Sequence, residues 1–384
     1  MTSTTSSTSE PATTGDRPAG APARPLDAEN LRLRVDATLS AFLSRQARTL
    51  TEVSPDCHEL VASVVALMRG GKRLRPAFCY WGWRGAGGDS NDNIVAAAAA
   101  LELFQAAALI HDDLMDGSDL RRGMPAVHRR FAAVHRDQGW QGDGDRFGLA
   151  GAVLAGDMCL VWTDELFADS GLSVPRLAAG RVMFNRMRTE LLGGQYLDVL
   201  TQAAPDLDPQ AAIDRARQVI RYKSAKYTVE HPLLIGAALA GAEPALLEVY
   251  SEYGLALGEA FQLRDDVLGV FGDPDETGKP AGDDLREGKR TVLVGLTLQR
   301  ASPAQADVVR ELLGDPCLTP EGVATLRTVM SDTGAVDAVE QMIADLAERA
   351  ETALAGAGPR GVEVAEPARS VLSNLVVAAT ARAT

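Results

Sequence analysis

From about Leu26 onward, apolar residues recur at three- and four-residue intervals, the spacing of helices with one buried face. LRLRVDATLSAFLSRQA (31–47) shows it, and NIVAAAAALELFQAAALIHDDLMD (93–116) adds a run of strong helix formers. The pattern returns in RLAAGRVMFNRMRTELLGGQYLDVL (176–200), AIDRARQVIRYKSAKYTVEH (212–231), LLEVYSEYGLALGEAFQLRDDVLG (246–269) and VDAVEQMIADLAERAETALAGAG (336–358). Breaks are predicted where Gly, Pro, Asn and Asp cluster, at 85–93, 139–148 and 272–290. No alternating run carries hairpin-turn signals, and no repeat of fixed period appears. The pattern therefore predicts an all-α fold, a single large helical domain over residues 27–384. The segment 1–26, almost entirely Ser, Thr, Pro, Ala and Gly, lacks the apolar core of a secretory signal and is expected to be a disordered tail.

Composition narrows the class. With 46% hydrophobic and 23% charged residues the chain is an ordinary globular sequence. Its net charge of −14 argues against nucleic acid as a partner. The longest apolar stretch, 94–110, contains Glu102 and Gln105. It falls short of the roughly 20 residues of a membrane span, so none is expected. Cys57, Cys79, Cys159 and Cys317 are far apart, with no CxxC pair, and read as reduced, buried thiols of a cytoplasmic protein.

The sharpest chemical signal is Asp112-Asp113-Leu114-Met115-Asp116 at the end of an Ala/Leu/Ile helix. Residues four apart lie about 40° from one another around a helix, so Asp112 and Asp116 point the same way from adjacent turns, with Asp113 to one side. Such carboxylates repel unless a cation lies between them. A second pair, Asp265-Asp266, ends another apolar helix, with Gln262 three residues before Asp265 on nearly the same face. One acidic helix end is an ordinary solvated surface. Two suggest a shared site for hard divalent cations, Mg²⁺ or Mn²⁺, which prefer oxygen ligands.

Basic residues accompany both motifs. Gly70-Gly71-Lys72-Arg73-Leu74-Arg75-Pro76 opens on a diglycine, and Arg121-Arg122-Gly123 follows the first acidic motif; Lys223, Lys226, Lys279 and Lys289 add four more cations. Each alone reads as surface charge. Together they suit diphosphates, whose oxygens bridge metal ions while Arg and Lys neutralise the remainder. No GxxxxGK[ST] or GxGxxG sequence supports a nucleotide fold.

In this combination, GGKRLRP (70–76), HDDLMDGSDLRRG (111–123), YKSAKYT (222–228), FQLRDDVLG (261–269) and TGKPAGDDLREGKRT (277–291), the sequence resembles the trans-isoprenyl diphosphate synthases, the polyprenyl synthetase family, and most of all its geranylgeranyl diphosphate synthases. The resemblance implies an all-α isoprenoid-synthase fold around a central apolar cavity, and a homodimer. It implies that Asp112, Asp116 and Asp265 hold several Mg²⁺ ions against an allylic diphosphate contacted by Arg121, Lys223 and Lys279. Gln262 would lie near the metal and the allylic group, and Ser224 stands where Thr is usual. Lys72, Arg75 and Arg122 match the pocket for isopentenyl diphosphate; Gln105 occupies a position where many members carry His, and Lys289 is a further substrate-binding cation. The second motif departs from the family where its third aspartate is replaced by Gly269, which puts the burden on Asp265 or on Asp273 or Asp284 in the following loop.

The chemistry implied is ionisation of the allylic C–O bond by metal ions and cations, attack on the carbocation by the double bond of isopentenyl diphosphate, and loss of a proton to the released diphosphate. The product grows beside the helix of Asp112, where one turn is about 5.4 Å. The small residues Ala107 and Ala108 leave room one turn away, and Phe104, two turns away, is the expected floor, which favours a geranylgeranyl product. A class I terpene cyclase, a non-catalytic partner subunit and a purely structural helical protein are the competing readings. The first would not need Lys72 and Arg75, the second usually loses its aspartates, and the third would bind metal without diphosphate.

Overall fold

The computed structural model describes residues 25–203, 208–272 and 282–380. Of the expected tail, all but Pro25 and Leu26 lies outside the described residues, as do Lys279 and Asp273.

Helices follow one another almost without interruption: α1 Leu31–Val53, α2 His58–Met68, α3 Leu74–Gly85, α4 Asp92–Met115, α5 Val127–Asp137, α6 Gly144–Ala168, α7 Val174–Ala203 and α8 Pro209–Val219. After a π-helix at Ile220–Glu230 come α9 His231–Ala240, α10 Pro244–Phe271, α11 Asp283–Arg286, α12 Val292–Arg300, α13 Pro303–Leu312, α14 Pro320–Asp332, α15 Ala335–Ala355 and α16 Ala368–Thr380. The all-α expectation holds, and breaks fall between α3 and α4 and between α5 and α6 as predicted, whereas residues 273–281 of the third predicted break, 272–290, lie outside the described residues and its described part includes α11.

Two elements depart from the expected pattern. The segment 220–230, helical by pattern, takes the π form. Glycines on its neighbours let it pack closely: a Cβ on Gly194 of α7 would lie 2.6 Å from the Lys223 backbone nitrogen, and one on Gly258 of α10 would lie 2.6 Å from the Ala225 Cα. The second is a small antiparallel hairpin, Leu120–Arg121 against Met124–Pro125, where no strand was expected. Its strands are too short to show alternation. The turn puts both Arg122 (φ 54) and Gly123 (φ 73) at positive φ, as tight hairpins require.

α4 is the central element, packed on α1, α3 and α6. Asn91 caps it, its Oδ1 accepting from the Ile94 N–H at 3.1 Å. Leu101, Leu103, Ala107 and Ile110 are buried, whereas Gln105, Ala108, Leu109 and Asp112 stay partly open. Gln105, Ala108 and Asp112 share one helical face, so a partly open stripe runs along α4 to the carboxylates at its end.

α4 and α6 are each long and apolar enough to cross a membrane, by length and composition alone. The helix around 94–110 is thus longer than the apolar run suggested, but it is mostly buried in the core. α6 is buried over less than half its apolar window. Of the cysteines, Cys79 and Cys159 are buried and Cys57 half-buried, while Cys317 is exposed, against the expectation of uniform burial.

Candidate active site

The partly open stripe of α4 faces the π-helix. Lys223 Nζ donates to Asp112 Oδ1 at 3.0 Å and to Asp198 Oδ2 of α7 at 2.7 Å. Gln195 Nε2, also from α7, reaches the same Asp112 oxygen at 2.9 Å. Deeper, the Tyr227 hydroxyl donates to Gln105 Oε1 at 2.7 Å. Lys223 and Tyr227 therefore hold the π-helix against two residues that lie seven apart on α4, on one face.

The three aspartates of the first motif are sorted by their surroundings. Asp113 is fully buried and takes the Arg121 guanidinium, with Nε at 2.8 Å, while Arg121 Nη2 also reaches Asp112 Oδ2 at 3.3 Å. Asp113 thereby orients Arg121. Burial works against the charge of Asp112, but Lys223 and Arg121 outweigh it and hold its carboxyl below the usual range. Asp116, at the exposed end of the helix, is pushed up to about 6 by partial desolvation and by Asp112, with Asp198 and Glu287 adding to it.

The second motif sits near the end of α10. Asp265 is exposed, and Asp266 is buried and accepts from Gln262 Nε2 at 2.9 Å. Gln262 thus supports Asp266, one turn on. Burial, together with Asp284 and Asp265, pushes Asp266 up to about 7. Lys289 Nζ binds Asp284 Oδ1 at 2.6 Å and Glu287 at 2.9 Å. Because Glu287 acts on Asp116 and Asp284 on Asp266, the segment 284–289 connects the two acidic motifs electrostatically.

The diglycine segment divides its cations by role. Arg73 is buried, donating to Asp36 at 2.7 Å, to Glu102 at 2.8 Å and to the Met68 carbonyl at 2.6 Å. It is a structural cation, and Gly71 leaves it room: a Cβ there would lie 2.5 Å from Arg73 Nη1. Lys72 is exposed. Arg75 lies 4.1 Å over the Tyr227 ring, a cation–π contact. It also donates to Thr228 Oγ1 at 2.8 Å, while its Nε is buried without a hydrogen-bond partner. Partial desolvation and the nearby Arg73, Arg121 and Arg75 hold Arg122 below the usual guanidinium range, although Glu102 opposes them.

Ser224 is half-buried beside Lys223. The structure separates the three chain-length residues. Ala108 lies on the Asp112 face, Ala107 is wholly buried among core helices, and Phe104 is 3% exposed, its ring edge-on to Tyr227 and Phe184 at 5.7 and 6.3 Å. Gln195, Asp198, Tyr227 and Thr228 were not singled out from the sequence. GGQYLD carried a signal for two of them, because a diglycine inside a helix costs about 1 kcal/mol per residue and asks for a reason. The reason is the close approach of Gly194 to Lys223.

The polyprenyl synthetase family model matches residues 58–330. The chain belongs to the polyprenyl synthetase family. It is a trans-prenyltransferase with the all-α fold of that family. It is 32% identical over 297 residues to a geranylfarnesyl diphosphate synthase of Aeropyrum pernix, covering 76% of this chain and 86% of the relative. A geranylgeranyl diphosphate synthase of Sulfolobus acidocaldarius is 32% identical over 68% of this chain and 73% of its own length. A crystal structure of a geranylgeranyl pyrophosphate synthase from Corynebacterium glutamicum, complexed with isoprenyl diphosphate and magnesium, is 41% identical, with a TM-score of 0.84, covering 92% of this chain and 98% of that one.

Proposed function

We propose that this trans-prenyltransferase condenses an allylic diphosphate with isopentenyl diphosphate, in a Mg²⁺-dependent reaction, to geranylgeranyl diphosphate. The observation that carries the reading is the pairing of Asp112 with Lys223 and Arg121 beside a separate group of under-compensated arginines, Arg75 and Arg122. The first place would hold metal ions and a diphosphate; the second would take another diphosphate without metal. A terpene cyclase has no use for the second.

The donor set fits a hard cation. Asp112, Asp116 and Asp265 offer only oxygens, and Asp113 Oδ2 is buried without a hydrogen-bond partner. Among the described residues no three metal-binding side chains already stand together. A bound Mg²⁺ would take waters and substrate phosphates as its remaining ligands. Bound there, the ions would withdraw charge from the departing diphosphate. Lys223 and Arg121 would neutralise the same group, and Ser224 and Lys279 would add contacts to it. Lys72, Arg75, Gln105 and Arg122 would orient isopentenyl diphosphate, with Lys289 at the second motif. Mn²⁺ would serve in place of Mg²⁺.

A homodimer is part of the reading. Phe147, Leu154 and Val161 recur every seven residues along α6 and are 37%, 56% and 67% exposed. Val182, Leu192 and Tyr196 of α7 are exposed as well. Apolar side chains gathered in this way mark an interaction face. A second copy laid on it would cover them, and Leu154→Glu should shift the sedimentation coefficient to that of a monomer. The same reading puts the chain in the cytoplasm, where its unpaired thiols stay reduced.

Incubating the purified protein with isopentenyl diphosphate, Mg²⁺ and each allylic starter, followed by mass analysis, tests the whole. Geranylgeranyl diphosphate is expected. No elongation of any starter overturns the reaction; geranylfarnesyl diphosphate as the main product overturns only the length.

A further inference from the structure

Lys226, one of the cations that the sequence suggested for a diphosphate, is committed elsewhere. It lies on the π-helix three residues beyond Lys223 and is only 7% exposed. Its Nζ stands 2.9 Å from Glu190 Oε2 of α7 and 3.2 Å from Glu230 Oε2 at the end of the π-helix. Both carboxylates have further partners. Glu190 accepts from Arg186 Nε at 2.7 Å and pairs with His231 Nε2 at 2.9 Å, and Glu230 accepts from Ser251 Oγ of α10 at 2.6 Å. Two cations and two carboxylates therefore balance in a network that joins α7, the π-helix, α9 and α10, and whose Glu230 and His231 are buried.

Lost hydration offsets the attraction within a buried ion network, so its net worth as stability is small; what it can supply is one preferred arrangement. The arrangement at stake is the register of 220–230. Bonds from i to i+5 widen the turn beyond that of an α-helix, so relaxation to the α form would rotate successive side chains relative to one another. Lys223, which reaches Asp112 and Asp198, and Tyr227, which reaches Gln105, would then no longer face α4 together. The network also brackets the close approach at Gly194: Glu190 meets Lys226 on one side of it, and Asp198 meets Lys223 on the other. Against α10 the same end of the π-helix is tightly seated, because a Cβ on Gly254 would lie 2.6 Å from the Glu230 Cα.

We propose that Lys226, clamped between Glu190 and Glu230, is a positioning residue that fixes the π register of 220–230 and thereby aims Lys223 at the diphosphate. This rests on the reading of Lys223 as a diphosphate cation.

The clamp can be neutralised as a whole. Glu190→Gln combined with Lys226→Met and Glu230→Gln removes its charges at similar volume, a change that tends to leave stability unaltered or raised, whereas Lys226→Met alone strands two carboxylates. The triple variant is expected to melt at or above the wild-type temperature and yet to lose about tenfold in kcat, short of the roughly 100-fold that a misplacement of about 1 Å can cost. In the metal-free protein its amides at 220–230 should exchange faster with deuterium, while those of α4 keep wild-type protection. Added to Lys223→Met, the triple change should cost little more in kcat, because both act through one side chain. A further full tenfold loss in that background overturns the proposal, as does wild-type kcat or wild-type exchange in the folded triple variant. Should the triple variant not fold, Lys226→Gln, uncharged but able to donate to Glu190, carries the same comparison. An unaltered kcat in Lys223→Met alone overturns the underlying reading of Lys223, and the proposal with it.

Discussion

Lys223 Nζ lies 3.0 Å from Asp112 Oδ1, so the cation we propose for a diphosphate is paired with the carboxylate we propose for a metal. Each favours the charge of the other: burial disfavours both charges, yet Asp112 is lowered and Lys223 raised relative to their usual values. A Mg²⁺–diphosphate complex can replace both partners at once, metal on Asp112 and phosphate oxygen on Lys223. Lys223→Met breaks that exchange. The loss is expected to be roughly 100-fold in kcat, the scale for removing one donor to developing charge, with the melting temperature changed little. Steady-state kinetics beside a thermal melt measure both; an unaltered kcat would remove Lys223 from the site.

Arg73 and Arg75, two residues apart, are expected to fail differently. Arg73 is buried and ion-paired with Asp36 and Glu102. Arg73→Met leaves Glu102 without its partner and should cost about 3–5 kcal/mol of stability. Arg75 holds Thr228 and the Tyr227 ring, and it keeps one buried N–H unpartnered. Arg75→Met should raise KM for isopentenyl diphosphate with a much smaller loss in denaturant stability. Matching effects of the two substitutions would contradict this division.

The acidic groups set a pH dependence whose sign differs between the metal-free and loaded protein. Asp116 and Asp266 are raised from 3.8 to about 6 and about 7 by burial and neighbouring carboxylates. Between their unfolded and folded pKa values the native protein holds protons that the unfolded chain has released, so stability falls as pH rises through that window. With EDTA present, the melting temperature is therefore expected to be higher at about pH 6 than at about pH 8. Mg²⁺ prefers the ionised carboxylates, so its half-saturating concentration should instead fall over the same rise in pH. Asp266→Asn should flatten the metal-free dependence, and a curve unchanged by that substitution would place the titration elsewhere.

The helical period made the fold legible, because α4, α7, α10 and α15 each carry a repeating apolar face long enough to outweigh local exceptions. The acidic and basic residues were legible for a different reason: charge ending an apolar helix is costly unless something neutralises it. What the chain did not reveal was pairing between distant segments. Asp198 and Gln195 carry no distinguishing pattern on α7, and it is the close approach of the π-helix at Gly194 that brings Lys223 to Asp198. Arg73 looked equivalent to Lys72 and Arg75, and only the positions of Asp36 and Glu102 make it structural. The hairpin at Arg122 and Gly123 left no pattern because two-residue strands have no period to show.

Product length is where helical rise becomes a measurable outcome. Ala107 and Ala108 are adjacent in sequence but point about 100° apart on α4, and only Ala108 shares the face of Asp112. Ala108→Phe should place a ring beside the growing chain one turn from the metal-binding carboxylates and shift the product toward farnesyl diphosphate, with the protein still fully folded. Ala107→Phe drives the same ring into a position that is wholly buried among core helices. Overpacking of that kind costs about 1–3 kcal/mol without shortening the product. Phe104 lies deeper, packed edge-on to Tyr227, whose hydroxyl holds Gln105. Phe104→Ala should therefore open the space beyond the fourth isoprene unit and admit geranylfarnesyl diphosphate among the products. Product analysis by mass spectrometry on the three variants decides the matter: equal shortening by both alanine substitutions, or an unchanged product from Phe104→Ala, would move the floor of the site off α4.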